Sequence, residues 1–94
     1  MEQHIPTTLA QIGRGNVLAI SGGRFRQEGD VLVLPVAHGY SVEVELDPSD
    51  TYTVRRVFTR SGAPTVKAEV TDVYCDEVGE MAYRASCYHH PMPV

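Results

Sequence analysis

The sequence predicts an α+β fold: an antiparallel β-meander of about five strands, with a short N-terminal helix and a C-terminal helix packed on one face. Three observations predict it. The stretches "SVEVEL" (41–46), "YTVRRVFT" (52–59) and "TVKAEV" (65–70) read as strands, separated by the turn-forming "DPSDT" and "SGAP". A single pairing register aligns both their apolar and their charged side chains. Apolar residues then recur at helical spacing from Tyr74 to Tyr88.

The elements follow in order. Thr7 or Thr8 is a candidate cap for a short helix through Leu9–Ile12, ended by Gly13 or Gly15. "NVLAI" (16–20) reads as a strand that is apolar on both faces, bent or bulged by Gly22 and Gly23. "QEGD" (27–30) signals a turn, "VLVLPV" (31–36) the next strand, and "AHGY" (37–40) another turn.

Register can be tested by side-chain pairing. Leu46 opposite Tyr52 brings Val44 to Val54 and Glu43 to Arg55. Phe58 opposite Val66 then brings Val54 beside Val70 and Arg55 beside Glu69. One face carries a valine ladder and the other an arginine between two carboxylates. Slipping either hairpin by one residue destroys this agreement. The same register sets Arg56 on the apolar face, between Val42 and Ala68. A buried guanidinium needs a partner. Snorkelling to the sheet edge, a carboxylate from the packed helix, or a bound anionic ligand would each supply one.

The last element is a helix capped by Thr71 or Asp72. Tyr74, Val78, Met81, Ala82, Ala85 and Tyr88 form its apolar stripe, and Gly79 lies off the stripe. Glu80 and Arg84 form an i,i+4 pair, and His89-His90-Pro91 ends the helix. The 94 residues make a single domain, 1–94, with a folded core over 7–88 and flexible ends at 1–6 and 89–94.

Bulk properties exclude several function classes. A net charge of −4 and a pI near 5.4 argue against a general binder of nucleic acid or anionic membranes. No stretch approaches the roughly 20 apolar residues of a membrane span, and "MEQHIPTTLAQIGR" lacks the basic and apolar regions of a signal peptide. The expected location is the cytoplasm, where two cysteines read as free thiols. Of the eight basic residues only Lys67 is not arginine, a bias that GC-rich coding explains more simply than arginine-based recognition.

Candidate chemistry is thin. On one helix, Cys75 and Cys87 would stand about 18 Å and about 120° apart, too far to share a zinc ion. Cys87, His89 and His90 lack ligand spacing, so no metal and no cofactor is expected. Cys75 has Asp72, Asp76 and Glu77 around it, which oppose thiolate formation. "ISGGR" (20–24) could form an anion nest, yet it matches neither the P-loop nor the dinucleotide pattern. No nucleophile–base–acid set stands out, and none of these residues is assigned a catalytic role.

Charge, by contrast, is segregated. Acids crowd 43–50 and 69–80, whereas Arg14, Arg24, Arg26 and Arg60 lack obvious sequence partners. Such a surface suits a protein partner or self-association. The candidate interaction residues are therefore Arg24, Arg26, Arg56 and Arg60.

The segments "LAQIGRGNVLAISGGR", "DTYTVRRVFTR" and "VTDVYCDEVGEMAYRASC" resemble small uncharacterised proteins of actinobacterial phages and their hosts, over roughly residues 8–88. The resemblance implies a small intracellular accessory protein acting on or beside other proteins, as a regulator, an inhibitor or a counter-defence factor. It carries over no active residue. The leading expectation is a non-enzymatic protein that binds a host or phage protein, as a homodimer. The alternatives are a nucleic-acid-binding module using Arg14, Arg24, Arg26 and Arg60, and a binder of small anions using Arg56.

Overall fold

Two helices, not one, precede the sheet. The computed structural model describes residues 4–87, with side chains from Thr7 onward. Helix α1 spans His4–Ile12 and α2 spans Arg14–Ser21. The strands are β1 (Arg26–Glu28), β2 (Val31–Pro35), β3 (Tyr40–Leu46), β4 (Tyr52–Arg60) and β5 (Ala63–Val73), and α3 spans Val78–Ser86. The strands form one antiparallel sheet in the order β1-β2-β3-β4-β5. The α+β expectation therefore holds, with five strands and a C-terminal helix packed on the sheet.

The first predicted strand is wrong. Residues 16–20 belong to α2, whose buried Val17, Ile20 and Ser21 follow i,i+3,i+4 spacing while Leu18 and Ala19 are exposed. Five apolar-rich residues suit a buried strand and a helix equally, and packing made the choice. Gly22 and Gly23 cap this helix instead of bulging a strand. Both have positive φ (68° and 86°), and their N–H groups donate to the carbonyls of Leu18 and Val17 at 2.8 and 3.3 Å. The fifth strand is instead β1, within the span read as a turn, and the reversal itself lies at Gly29–Asp30. Helix α1 begins earlier than expected and takes in His4–Pro6, which had been assigned to a flexible end. Thr8 is buried within it and is not its cap.

Both meander registers are found in their central parts. Glu43 pairs with Arg55, Val44 with Val54 and Leu46 with Tyr52. Val54 pairs with Val70, Arg55 with Glu69 and Arg56 with Ala68. The expected pairing of Phe58 with Val66 is not formed. An extra residue at Lys67 shifts the ladder, so Val57 faces Val66 and Phe58 faces Thr65. A second irregularity lies between Val70 and Val73, where Asp72 takes φ 57°. Two tight hairpin turns carry consecutive left-handed residues, His38-Gly39 and Ser61-Gly62, as type I′ reversals require.

Helix α3 starts at Val78, several residues later than predicted. Thr71 and Asp72 belong to β5, so neither caps it, and Cys75–Glu77 form a turn. Tyr74, expected on the apolar stripe, is 61% exposed. Val78, Ala82 and Ala85 are buried and Met81 packs at their margin. The Glu80–Arg84 pair forms at 2.6 Å. Tyr88, His89 and His90, with the predicted tail at 89–94, lie outside the described residues.

All three helices pack on one sheet face. Ile12, Val17 and Ile20 join Leu32, Leu34, Val42, Val44, Tyr52 and Val54 from the sheet, and Val78, Ala82 and Ala85 from α3. Gly79, predicted off the stripe, is buried where the helices meet. A Cβ there would lie 2.5 Å from the Ile12 carbonyl oxygen and 2.7 Å from Asn16 Nδ2. Asn16 Nδ2 donates to that same oxygen at 2.9 Å, so the α1–α2 corner rests directly on the glycine.

Candidate functional site

The four candidate interaction arginines, with Arg14, do not form one surface. They divide by the pleat of the sheet and by the helix ends.

Arg56 is a structural residue. It is 7% exposed and points from β4 towards the end of α3. Its Nε donates to the Ala85 carbonyl at 2.9 Å, and Nη2 donates to those of Arg84 and Cys87 at 3.2 and 3.1 Å. These carbonyls lie at a helix C-terminus, where the dipole is negative and a guanidinium is favoured, and that of Arg84 also accepts the Cys87 N–H at 3.1 Å. The partner is therefore neither a carboxylate nor solvent, and three of the guanidinium's five N–H directions are aimed at backbone.

Arg26 lies on the sheet face away from the helices, in the row Arg26–Val33–Glu43–Arg55–Glu69. It pairs with Glu28 at 2.7 Å. The same face holds a charge cluster centred on Arg55, which contacts Glu45 at 2.7 Å, Glu69 at 2.8 Å and Glu43 at 3.6 Å. The Glu45 hydrogen bond, above all, raises the guanidinium pKa; partial burial opposes it and Glu69 adds to the rise. Glu43 and Glu69 were legible from register, whereas Glu45 reaches Arg55 from the diagonal position.

Arg60 ends β4 at the Ser61-Gly62 turn, on the fourth strand of the sheet. At ordinary strand spacing this puts it roughly 20 Å from Arg26. The predicted basic patch is thus broken up.

Arg14 and Arg24 belong to the helical part of the chain, at opposite ends of α2. Arg14 opens α2, and Arg24 follows its glycine cap, donating from Nε to the Ser21 carbonyl at 3.2 Å. Neither forms an ion pair with a described residue, and both are exposed. A groove of about 530 Å³ is lined by Leu9, Ala10, Arg14, Val17, Leu18, Gly23 and Phe25, with Arg24 in the segment between the last two. Its apolar walls project outward: Leu18 is 62% and Phe25 49% exposed. Sequence reasoning missed this site because it placed residues 16–20 in a strand. The helical period would have put Leu18 off the buried stripe.

The anion nest weighed at "ISGGR" is not formed. The N–H groups of Gly22, Gly23 and Arg24 all donate back to carbonyls of 17–21, at the negative end of the helix. A cleft at the opposite sheet end is lined by Asp30, Glu45, Leu46, Asp47, Pro48 and Asp50, and Asp47 accepts a hydrogen bond there from the Thr53 hydroxyl at 2.8 Å. Among the described residues no group of three or more His, Cys, Asp or Glu is placed to hold a metal ion. Cys75 is exposed and Cys87 half-buried, both as free thiols. Among the described residues no helix is long and apolar enough to cross a membrane.

No known protein family, curated protein or solved structure matches the chain.

Proposed function

We propose that this is a non-enzymatic accessory protein that acts by binding another protein, of phage or host, as a regulator, inhibitor or counter-defence factor in the host cytoplasm. One observation carries the reading: the apolar groove on α1 and α2, where two exposed apolar side chains, Leu18 and Phe25, line one surface together. A sheet with its helices on one face only, and an arginine committed to capping α3, describe a scaffold that presents a surface. Nucleic acid is the less favoured partner, because Arg26 and Arg60 do not join Arg14 and Arg24 at the groove.

A homodimer belongs to the same proposal. β5 runs eleven residues along an open sheet edge. A two-fold pairing about Ala68 would set each Lys67 opposite a Glu69 of the second copy. The bulge at Lys67 and the left-handed Asp72 limit this pairing to a short stretch, so dimerisation would be weak and concentration-dependent. Sedimentation that stays strictly monomeric at high concentration removes the dimer.

The main test compares two baits in extracts of the natural host, the full chain and its Leu18→Glu variant. Proteins that co-purify with the first and disappear with the second support the reading. An identical set from both baits refutes it.

A further inference from the structure

We infer that the groove on α1 and α2 takes an acidic amphipathic helix of the partner protein. The inference rests on the protein-binding reading above and adds the chemistry of the partner.

Groove shape comes first. Leu9, Ala10, Val17, Leu18 and Phe25 supply its apolar lining. The lining runs from the second half of α1 along α2 to the residue before β1. An apolar groove lined by two helices and the loop after them suits a helix that offers side chains at i, i+3, i+4 and i+7. A strand partner would need an open backbone edge beside the groove. The adjacent edge strand, β1, is only three residues long.

Charge supplies the second argument. No aspartate or glutamate occurs between Glu2 and Glu28, so every charged side chain facing the groove from α1, α2 and the following loop is an arginine. Arg14 lines the groove, and Arg24 stands between two of its lining residues, Gly23 and Phe25. Neither is neutralised by a described carboxylate. Elsewhere the acidic residues outnumber the basic ones, giving a net charge of −4. A basic rim on an acidic protein steers an acidic ligand towards this one place and repels the rest of it elsewhere. Carboxylates flanking the apolar stripe would reach Arg14 at one end and Arg24 at the other.

A nucleic-acid strand fits less well. It would need basic residues tracking several phosphates, and the other free arginine, Arg60, lies across the sheet. A second copy of this chain would have to bring one of its own acidic surfaces to the groove, against the mutual repulsion of two acidic molecules.

The test uses two synthetic helical peptides of about 18 residues, five turns, with the same leucine stripe. One carries glutamates beside the stripe and the other lysines. Each is titrated into the isotope-labelled full chain, with backbone amide shifts as the readout. The glutamate peptide is expected to shift residues 9–25 and to bind at least roughly tenfold more tightly than the lysine peptide. That preference should shrink between about 50 and about 500 mM salt, as screening tightens around the exposed arginines. The double variant Arg14→Glu/Arg24→Glu should reverse it. Both positions are exposed, and a thermal melt confirms that this variant folds. Equal binding of the two peptides, tighter binding of the lysine peptide, no binding of either, or shifts outside 9–25 overturns the inference. So does displacement of the glutamate peptide by a single-stranded oligonucleotide, or by self-association seen at the same residues. Leu18-dependent capture from extract without a glutamate preference overturns the charge argument and leaves protein binding standing. Capture indifferent to Leu18 overturns both.

Discussion

Replacing Arg56 tests the joint between the sheet and α3. Its guanidinium donates three hydrogen bonds to the last carbonyls of α3, of which only that of Arg84 also accepts a local backbone N–H, from Cys87, among the described residues. Arg56→Ala removes these bonds and the packed aliphatic stem together. Stranding a buried acceptor costs about 1–3 kcal/mol; the Ala85 and Cys87 carbonyls lose their donor while that of Arg84 keeps the Cys87 N–H, so a loss of about 3 kcal/mol is expected. A chain of this length has roughly 5–14 kcal/mol in total. At a urea m-value of about 1 kcal/mol/M, the unfolding midpoint should fall by about 3 M. Arg56→Lys keeps the charge but replaces the planar fork with a point donor, and should recover about 1 kcal/mol of the loss. Arg56→Met keeps most of the stem and removes every donor, so it isolates the capping bonds. Urea titration followed by circular dichroism gives the midpoints, and amide exchange across 78–87 shows whether α3 frays first. Arg56→Met within about 0.5 kcal/mol of the parent, with unchanged exchange in α3, would refute the capping argument.

Three further outcomes are expected. Gly79→Ala adds a methyl 2.5 Å from the Ile12 carbonyl oxygen, so α3 must move away from the α1–α2 corner. The gain of about 1 kcal/mol in helix propensity is outweighed by overpacking, and thermal unfolding should show a net loss of about 1–2 kcal/mol. Ser61→Asn relieves a left-handed residue in a type I′ turn, where Asn-Gly is the favoured pair, and should raise stability by about 0.5–1 kcal/mol in urea titration. Arg55→Met leaves Glu43, Glu45 and Glu69 facing one another on a partly exposed face. The loss should be about 1–2 kcal/mol at low salt and should shrink on adding sodium chloride, a dependence that melts at several salt concentrations will reveal.

The sequence by itself determined the central sheet. Residues 41–46 and 65–70 alternate with a period of two, so their valines and charges separate to opposite faces, and 52–59 pairs with both. Only one register satisfies both sets, and Glu43–Arg55–Glu69 and Val44–Val54–Val70 are found where that logic puts them. It also placed Arg56 on the apolar face, and left its partner open among solvent, carboxylate and ligand. Packing decided the partner. The end of α3 lands over β4, and its terminal carbonyls take the guanidinium. The bulge at Lys67 escaped notice because one extra residue leaves the surrounding pattern unchanged.

The N-terminal third was decided by tertiary structure. "NVLAI" carries too little periodicity to separate a strand from a helix, and burial of Val17 and Ile20 against the sheet settles it as helix. Gly79 looked like a helix weakness in the sequence and is the contact point of three helices in the fold. The groove could not be read in advance for the same reason. Leu9, Leu18 and Phe25 come from α1, α2 and the loop after it, and only the docking of that helix pair on the sheet brings them to one surface.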